Sequence, residues 1–181
     1  MAIREDYEQL KAYARIDGGI VGGLWILSFA FFIGEFYNPL FGFAFIFVGV
    51  FSLVFAAMRL KRYRDNVADG VISFGRALLY SMLVYFYAAL LMAAGQFVYF
   101  QFIDNGFLTA QYAEIVNSSE YKAMLTAYGA TTDDMQMLID NLEALRPIDI
   151  ALQFFTTNIM LGFFVSLPIA VMLKSNRKRR F

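Results

Sequence analysis

Gln96, Thr156, Thr157 and Asn158 are the side chains in this sequence most suited to chemistry inside an apolar environment. Amides and hydroxyls at such places can hydrogen-bond a neutral solute, but they lack the basicity to activate a nucleophile. Gln96 lies nineteen residues beyond Ala77, roughly 28 Å along a helix, and Thr156 to Asn158 lie roughly 24–27 Å from Lys174. The four therefore share a level near the outer end of two apolar runs. The favoured reading is polar glue between helices, worth about 0.6 kcal/mol per bond. The alternative is a shallow, outward-facing ligand site.

Histidine and cysteine are both absent from the 181 residues. Ser–His and Cys–His nucleophilic machinery cannot be built within this chain, and the commonest metal ligands and disulfides are missing. Asp133, Asp134 and Asp140 lack the spacing of a calcium-binding loop and read as a solvated helix face. The expectation is a non-enzymatic protein with no catalytic, cofactor-binding or metal-binding residues and no cofactor.

The elements that position these residues are four apolar runs, at about 16–36, 40–58, 73–103 and 150–173. Each meets the ~20 residues needed to cross a ~30 Å hydrocarbon core. A hydrophobic fraction of 60% and a mean hydropathy of +0.56 also exceed what a soluble domain of this size can bury. Ser28-Phe29-Ala30 resembles a signal-peptidase site, yet the mixed charge before the first run and its continuation to Phe36 favour an uncleaved span. Thirteen of the fifteen Lys and Arg residues fall on one side of these runs. That side carries thirteen cations against six carboxylates, and the other two cations against nine. The bias predicts both termini in the cytoplasm and a multi-pass integral membrane protein. The basic tail Lys174 to Arg180 reads as an anchor to anionic headgroups, with no nucleic acid implied.

Depth places Arg15 and Arg59 at the inner interface and Glu35 at the outer one, leaving no Asp, Glu, Lys or Arg mid-membrane. The fold expected is all-α: one transmembrane domain over 1–181, a four-helix bundle with short amphipathic helices in the outer segment 104–149. Asn38-Pro39 should start the second helix, Ser73 should cap the third, and Thr131 with Asp134 resembles a capping box. Pro168 should kink the fourth span. Gly18, Gly19, Gly22 and Gly23 form overlapping G-x-x-x-G patterns. These permit close helix approach, either within the chain or in a homodimer. The Phe residues of the second span, Phe41 to Phe55, should face lipid and neighbouring helices.

Ile72-Ser73-Phe74-Gly75 at the start of the third span, with Tyr99 and Phe102-Ile103-Asp104 at its end, resembles the DUF4199 family of Bacteroidota inner-membrane proteins. The resemblance spans essentially the whole chain in length and layout, and it brings no catalytic residues. It implies a bacterial inner-membrane protein of uncharacterised function, with an envelope glycosyltransferase as a partner by association only. The chain departs at Asn105, where Pro is common, which suggests a less sharply enforced helix exit. The residues themselves read structurally: Ser73 caps, Gly75 permits close packing, and Asp104 ends the helix.

Three functions follow as expectations. The first is an accessory or scaffold subunit of an envelope enzyme, in contact with the lipid bilayer and a membrane-protein partner. The second is a small transporter or flippase-like protein for a lipid-linked or neutral solute, using the Gln96–Asn158 level. The third is an envelope sensor using the acidic segment.

Overall fold

Long apolar runs without interior breakers propagate as helices, because a backbone in lipid must satisfy its own hydrogen bonds. The computed structural model describes residues 2–129 and 131–175, and the apolar runs form four long helices there: α1 (Ala2–Glu35), α2 (Leu40–Asn66), α3 (Phe74–Phe102) and α7 (Pro147–Leu173). Three short helices, α4 (Phe107–Asn117), α5 (Ser119–Ala127) and α6 (Thr132–Glu143), lie between the last two. Each of the four long helices is long and apolar enough to cross a membrane. The basic tail from Arg177 to Arg180 lies outside the described residues.

Two of these helices outrun their apolar stretches. α1 begins some fourteen residues before Ile16, and α2 continues past Met58 through Arg59 to Asn66. Polarity ends a membrane span but does not end a helix, since Glu, Lys, Arg and Leu are good helix formers in water. Pro168 is carried within α7, close to its end.

The chain divides into two compact units. One holds the chain up to Gly95 together with that from Gln153 onward; the other is Gln96–Leu152.

The first unit is a four-helix bundle. Its core stripe on α1 is Leu10, Ala14, Asp17 and Val21, at alternating steps of four and three that keep one helix face inward. α2 contributes Ser52, Ala56, Leu60 and Tyr63, α3 contributes Ala77, Tyr80, Val84, Tyr85 and Ala88, and α7 contributes Ala170. Between α1 and α2 the turn runs through Asn38, whose side-chain oxygen accepts the Leu40 N–H at 3.0 Å as expected of a cap.

Gly18 and Gly22 make α1 and α3 approach closely. A β-carbon on Gly18 would stand 2.6 Å from Tyr87 Cβ, and one on Gly22 would stand 3.1 Å from Ala88 Cα. Those two glycines are thus used within the chain, whereas Gly19 and Gly23 face open space. On α2 the Phe residues at 41, 43, 45, 47 and 51 are exposed on the helix surface, as expected of lipid-facing positions.

The second unit follows the capping rules closely. Asp104 accepts the Gly106 N–H and the Leu108 N–H, both at 3.1 Å, so its carboxylate opens α4, while its own N–H donates to the Tyr99 carbonyl at 2.9 Å where α3 ends. Asn105 takes a positive φ of 46°, and Gly106 one of 81°. Proline cannot adopt that conformation, so Asn105 selects a left-handed turn and the helix exit is sharp. The expectation of a loosely enforced exit is thereby corrected. Replacing Asp104 with Ala should destabilise this unit by about 1–2 kcal/mol, read as earlier loss of amide protection across α4 than across α3 in hydrogen exchange.

Ser118 separates α4 from α5 and its hydroxyl accepts the Tyr121 N–H at 3.3 Å. Thr131 and Asp134 form the reciprocal cap. The Asp134 N–H donates to Thr131 Oγ1 at 3.2 Å, and the Thr131 N–H donates back to Asp134 Oδ2 at 2.8 Å. The Thr131 hydroxyl also donates to Asp134 Oδ2 at 2.7 Å, and that bond, with the one from the Thr131 N–H, holds the Asp134 carboxyl below its ordinary range. Val116, Met135 and Ile139 pack together beneath them, with Tyr121 and Leu125 alongside.

Candidate functional site

Asp17 occupies a core position on the α1 stripe where an apolar residue would otherwise sit, and it is 1% exposed. A carboxylate so placed is tolerated only when paired and hydrogen-bonded. Arg59 supplies the pairing from α2: its Nε lies 2.6 Å, and its Nη2 2.5 Å, from Asp17 Oδ1. Tyr80 supplies the remaining bond from α3, its hydroxyl donating to Asp17 Oδ2. Both carboxylate oxygens are thereby occupied, and three helices meet on one side chain.

Aromatic rings wall the cluster. Tyr63 stacks on Tyr80 with centroids 4.9 Å apart, and Tyr13 meets Tyr63 at 5.5 Å. A cleft of about 260 Å³ opens beside them, lined by Tyr13, Asp17, Arg59, Arg62, Tyr63 and Asn66 among others. This cleft lies at the end of the bundle that carries the basic residues.

At the same end the backbone ties the entry of α3 to the segment after α7. Ile72, fully buried, exchanges two hydrogen bonds with Ser175, at 3.0 and 2.9 Å. Arg64 donates through Nη1 to the Leu173 carbonyl at 3.0 Å, satisfying the open end of α7, while its Nε holds Asp65 at 2.8 Å. The motif read from the sequence therefore works as a clasp. Ile72 grips the segment after α7, and Ser73 starts α3, its carbonyl accepting the Ala77 N–H at 2.9 Å and its hydroxyl the Arg76 N–H at 3.4 Å. Gly75 does something different from expectation. Nothing lies within 4 Å of where its β-carbon would be, so it is an exposed first-turn residue and not a packing contact. Phe74, Phe102 and Ile103 are exposed apolar residues at the two ends of α3.

A second polar belt crosses the bundle farther along. Trp25 Nε1 donates to Ser52 Oγ at 2.9 Å, which donates onward to the Gly49 carbonyl at 2.6 Å. Ser28 Oγ donates to the Phe45 carbonyl at 2.9 Å. Asn158 lines a cleft of about 160 Å³ here, together with Trp25, Ser28, Phe29, Phe45 and Met92. Of the other residues placed at this level, Thr156 and Thr157 are exposed on α7. Gln96 is buried within the second unit, where its Oε1 has no hydrogen-bond partner. The sequence-level grouping thus resolves into Asn158 in a bundle cleft, two surface threonines, and a buried glutamine belonging to the other unit.

The Asp17–Arg59–Tyr80 cluster is not legible from charge placement, because Asp17 and Arg59 each stand near the end of an apolar run, where a charge marks the membrane boundary. The signal was present: Leu10, Ala14, Asp17 and Val21 share one face, and Asp17 is the polar member of that stripe. Among the described residues no group of three or more carboxylates is placed to hold a metal ion.

No curated protein and no solved structure matches this chain. The family model described as a protein of unknown function, DUF4199, matches residues 17–175. That match runs from the buried aspartate to the residue clasped by Ile72, and over this length the chain belongs to the DUF4199 family.

Proposed function

We propose that this protein is a non-enzymatic accessory or scaffold subunit of the inner membrane, with both termini cytoplasmic, that supports a membrane-protein partner of the cell envelope. The observation that carries this reading is the closed interior. Asp17, Arg59 and Tyr80 satisfy one another at the basic end, while Trp25, Ser28 and Ser52 satisfy themselves on backbone and on each other farther along. Between the two belts come Val21 on α1, Ala56 on α2, and Val84 and Ala88 on α3, all buried. A solute would have to pass through that packed layer, so the geometry favours a scaffold over a transporter.

Surface features support association. Only four residues of α2 are buried, and Gly19 and Gly23 leave an open stripe on α1 that suits either a partner helix or a second copy of this chain. The test is crosslinking followed by affinity purification in several mild detergents. A membrane protein recovered in near-stoichiometric amount is the expected result, and recovery of this chain alone in every detergent contradicts the proposal. The Asn158 cleft favours the second reading, a small transporter or flippase-like protein. That reading requires Asn158→Ala to impair movement of a measurable solute without loss of fold.

A further inference from the structure

We propose that the cleft between α1 and α2 at the basic end binds the phosphate of an anionic lipid headgroup, with Arg62 as its principal cation. Three carboxylates near this end are committed to other cations or to the core. Asp17 holds Arg59, Asp65 holds Arg64, and Asp6 holds Arg76 at 3.3 Å, with Arg76 also lying over the Tyr7 ring. Arg62 lines the cleft one helical turn beyond Arg59, and among the described residues it has no carboxylate partner.

Arg59 adds to the same surface. Asp17 takes its Nε and Nη2, which leaves Nη1 as a donor. The Tyr80 bond to the second oxygen of Asp17 fixes that carboxylate, so it cannot turn to neutralise Arg62. Two guanidiniums at one-turn spacing, one carboxylate shared with the core, and the Asn66 amide leave a net positive, donor-rich cleft. Phosphate oxygens are the natural acceptors for such donors. The walls formed by Tyr13 and Tyr63 suit the glycerol and first carbons next to a headgroup phosphate.

Depth selects lipid as the source of that phosphate. The apolar stretch of α2 from Leu40 to Met58 is nineteen residues, roughly 28 Å, about one hydrocarbon thickness. Arg59 and Arg62 follow at once, at the level where lipid phosphates lie. The volume of about 260 Å³ admits a headgroup and excludes a folded partner.

The experiment is native mass spectrometry of the full chain in neutral detergent, titrated with phosphatidylglycerol, phosphatidylcholine or inorganic phosphate. Phosphatidylglycerol should bind with one saturable site. Arg62→Gln should weaken it about tenfold, the loss of one charge-assisted hydrogen-bond pair. Lys61→Gln, which removes a neighbouring cation outside the cleft, should change binding less than twofold. Equal losses in the two variants, or equal binding of phosphatidylcholine, would overturn the site. Saturable inorganic phosphate binding with the same Arg62 dependence, and no advantage for phosphatidylglycerol, would overturn the lipid as its source.

Discussion

Arg59→Met is expected to destabilise the bundle by about 3 kcal/mol or more, the cost of leaving a buried carboxylate without its counter-charge. Asp17 has 2% of its side chain exposed and Arg59 22%, so water can reach the guanidinium edge but not the carboxylate. Removing Arg59 therefore strands a charge that Tyr80 alone cannot satisfy. Asp17→Asn placed in the Arg59→Met background should restore most of the loss, because the amide no longer requires a cation. Reversible unfolding of the purified protein in mixed micelles measures both differences. A single Arg59→Met variant as stable as the wild type would mean that Asp17 is not held as a charge.

Gly18→Val and Gly162→Val should be comparably damaging through packing. A β-carbon at Gly18 would stand 2.7 Å from the Val84 carbonyl oxygen, which is backbone and cannot swing aside. At Gly162 it would stand 2.5 Å from Tyr85 Cβ, the rigid root of a buried ring that stacks on Trp25 at 6.0 Å. Either substitution must push a helix away from α3, and overpacking of this kind costs about 1–3 kcal/mol and sometimes more. Gly19→Ala, with open space around it, should be neutral or slightly stabilising, since Ala outranks Gly in a helix by up to about 1 kcal/mol. Thermal melting of the three variants separates the used stripe from the open one. Equal effects at positions 18 and 19 would refute the close α1–α3 approach.

Much of this architecture is legible in the sequence because it follows from solvation. Apolar length sets the four long helices, Asn38 and Ser73 start α2 and α3, and Asp104, Ser118 and Thr131 start the short helices α4, α5 and α6. What escaped were long-range pairings. Asp17 and Arg59 are 42 residues apart, and each looks like an interfacial charge on its own helix. Their meeting depends on which faces turn inward, which hydropathy alone does not specify. The clasp between Ile72 and Ser175 is likewise backbone pairing, carrying no side-chain signal. Asn105 shows the opposite case. Its departure from the family pattern looked like a weakened helix stop, yet a left-handed turn with Gly106 replaces what proline would have done.

These interior charges look like marks of activity, but every bond they make ties one bundle helix to another. The most direct measurement is crosslinked co-purification from an Asp17→Leu, Arg59→Met, Tyr80→Phe variant, with its unfolding measured on the same preparation. Replacing a buried charged cluster with apolar groups of similar size is often neutral or stabilising. If the cluster serves the fold, the variant melts at or above the wild-type temperature and recovers the same membrane partner at undiminished yield. A variant that melts like the wild type but recovers no partner would place the function in the charges themselves.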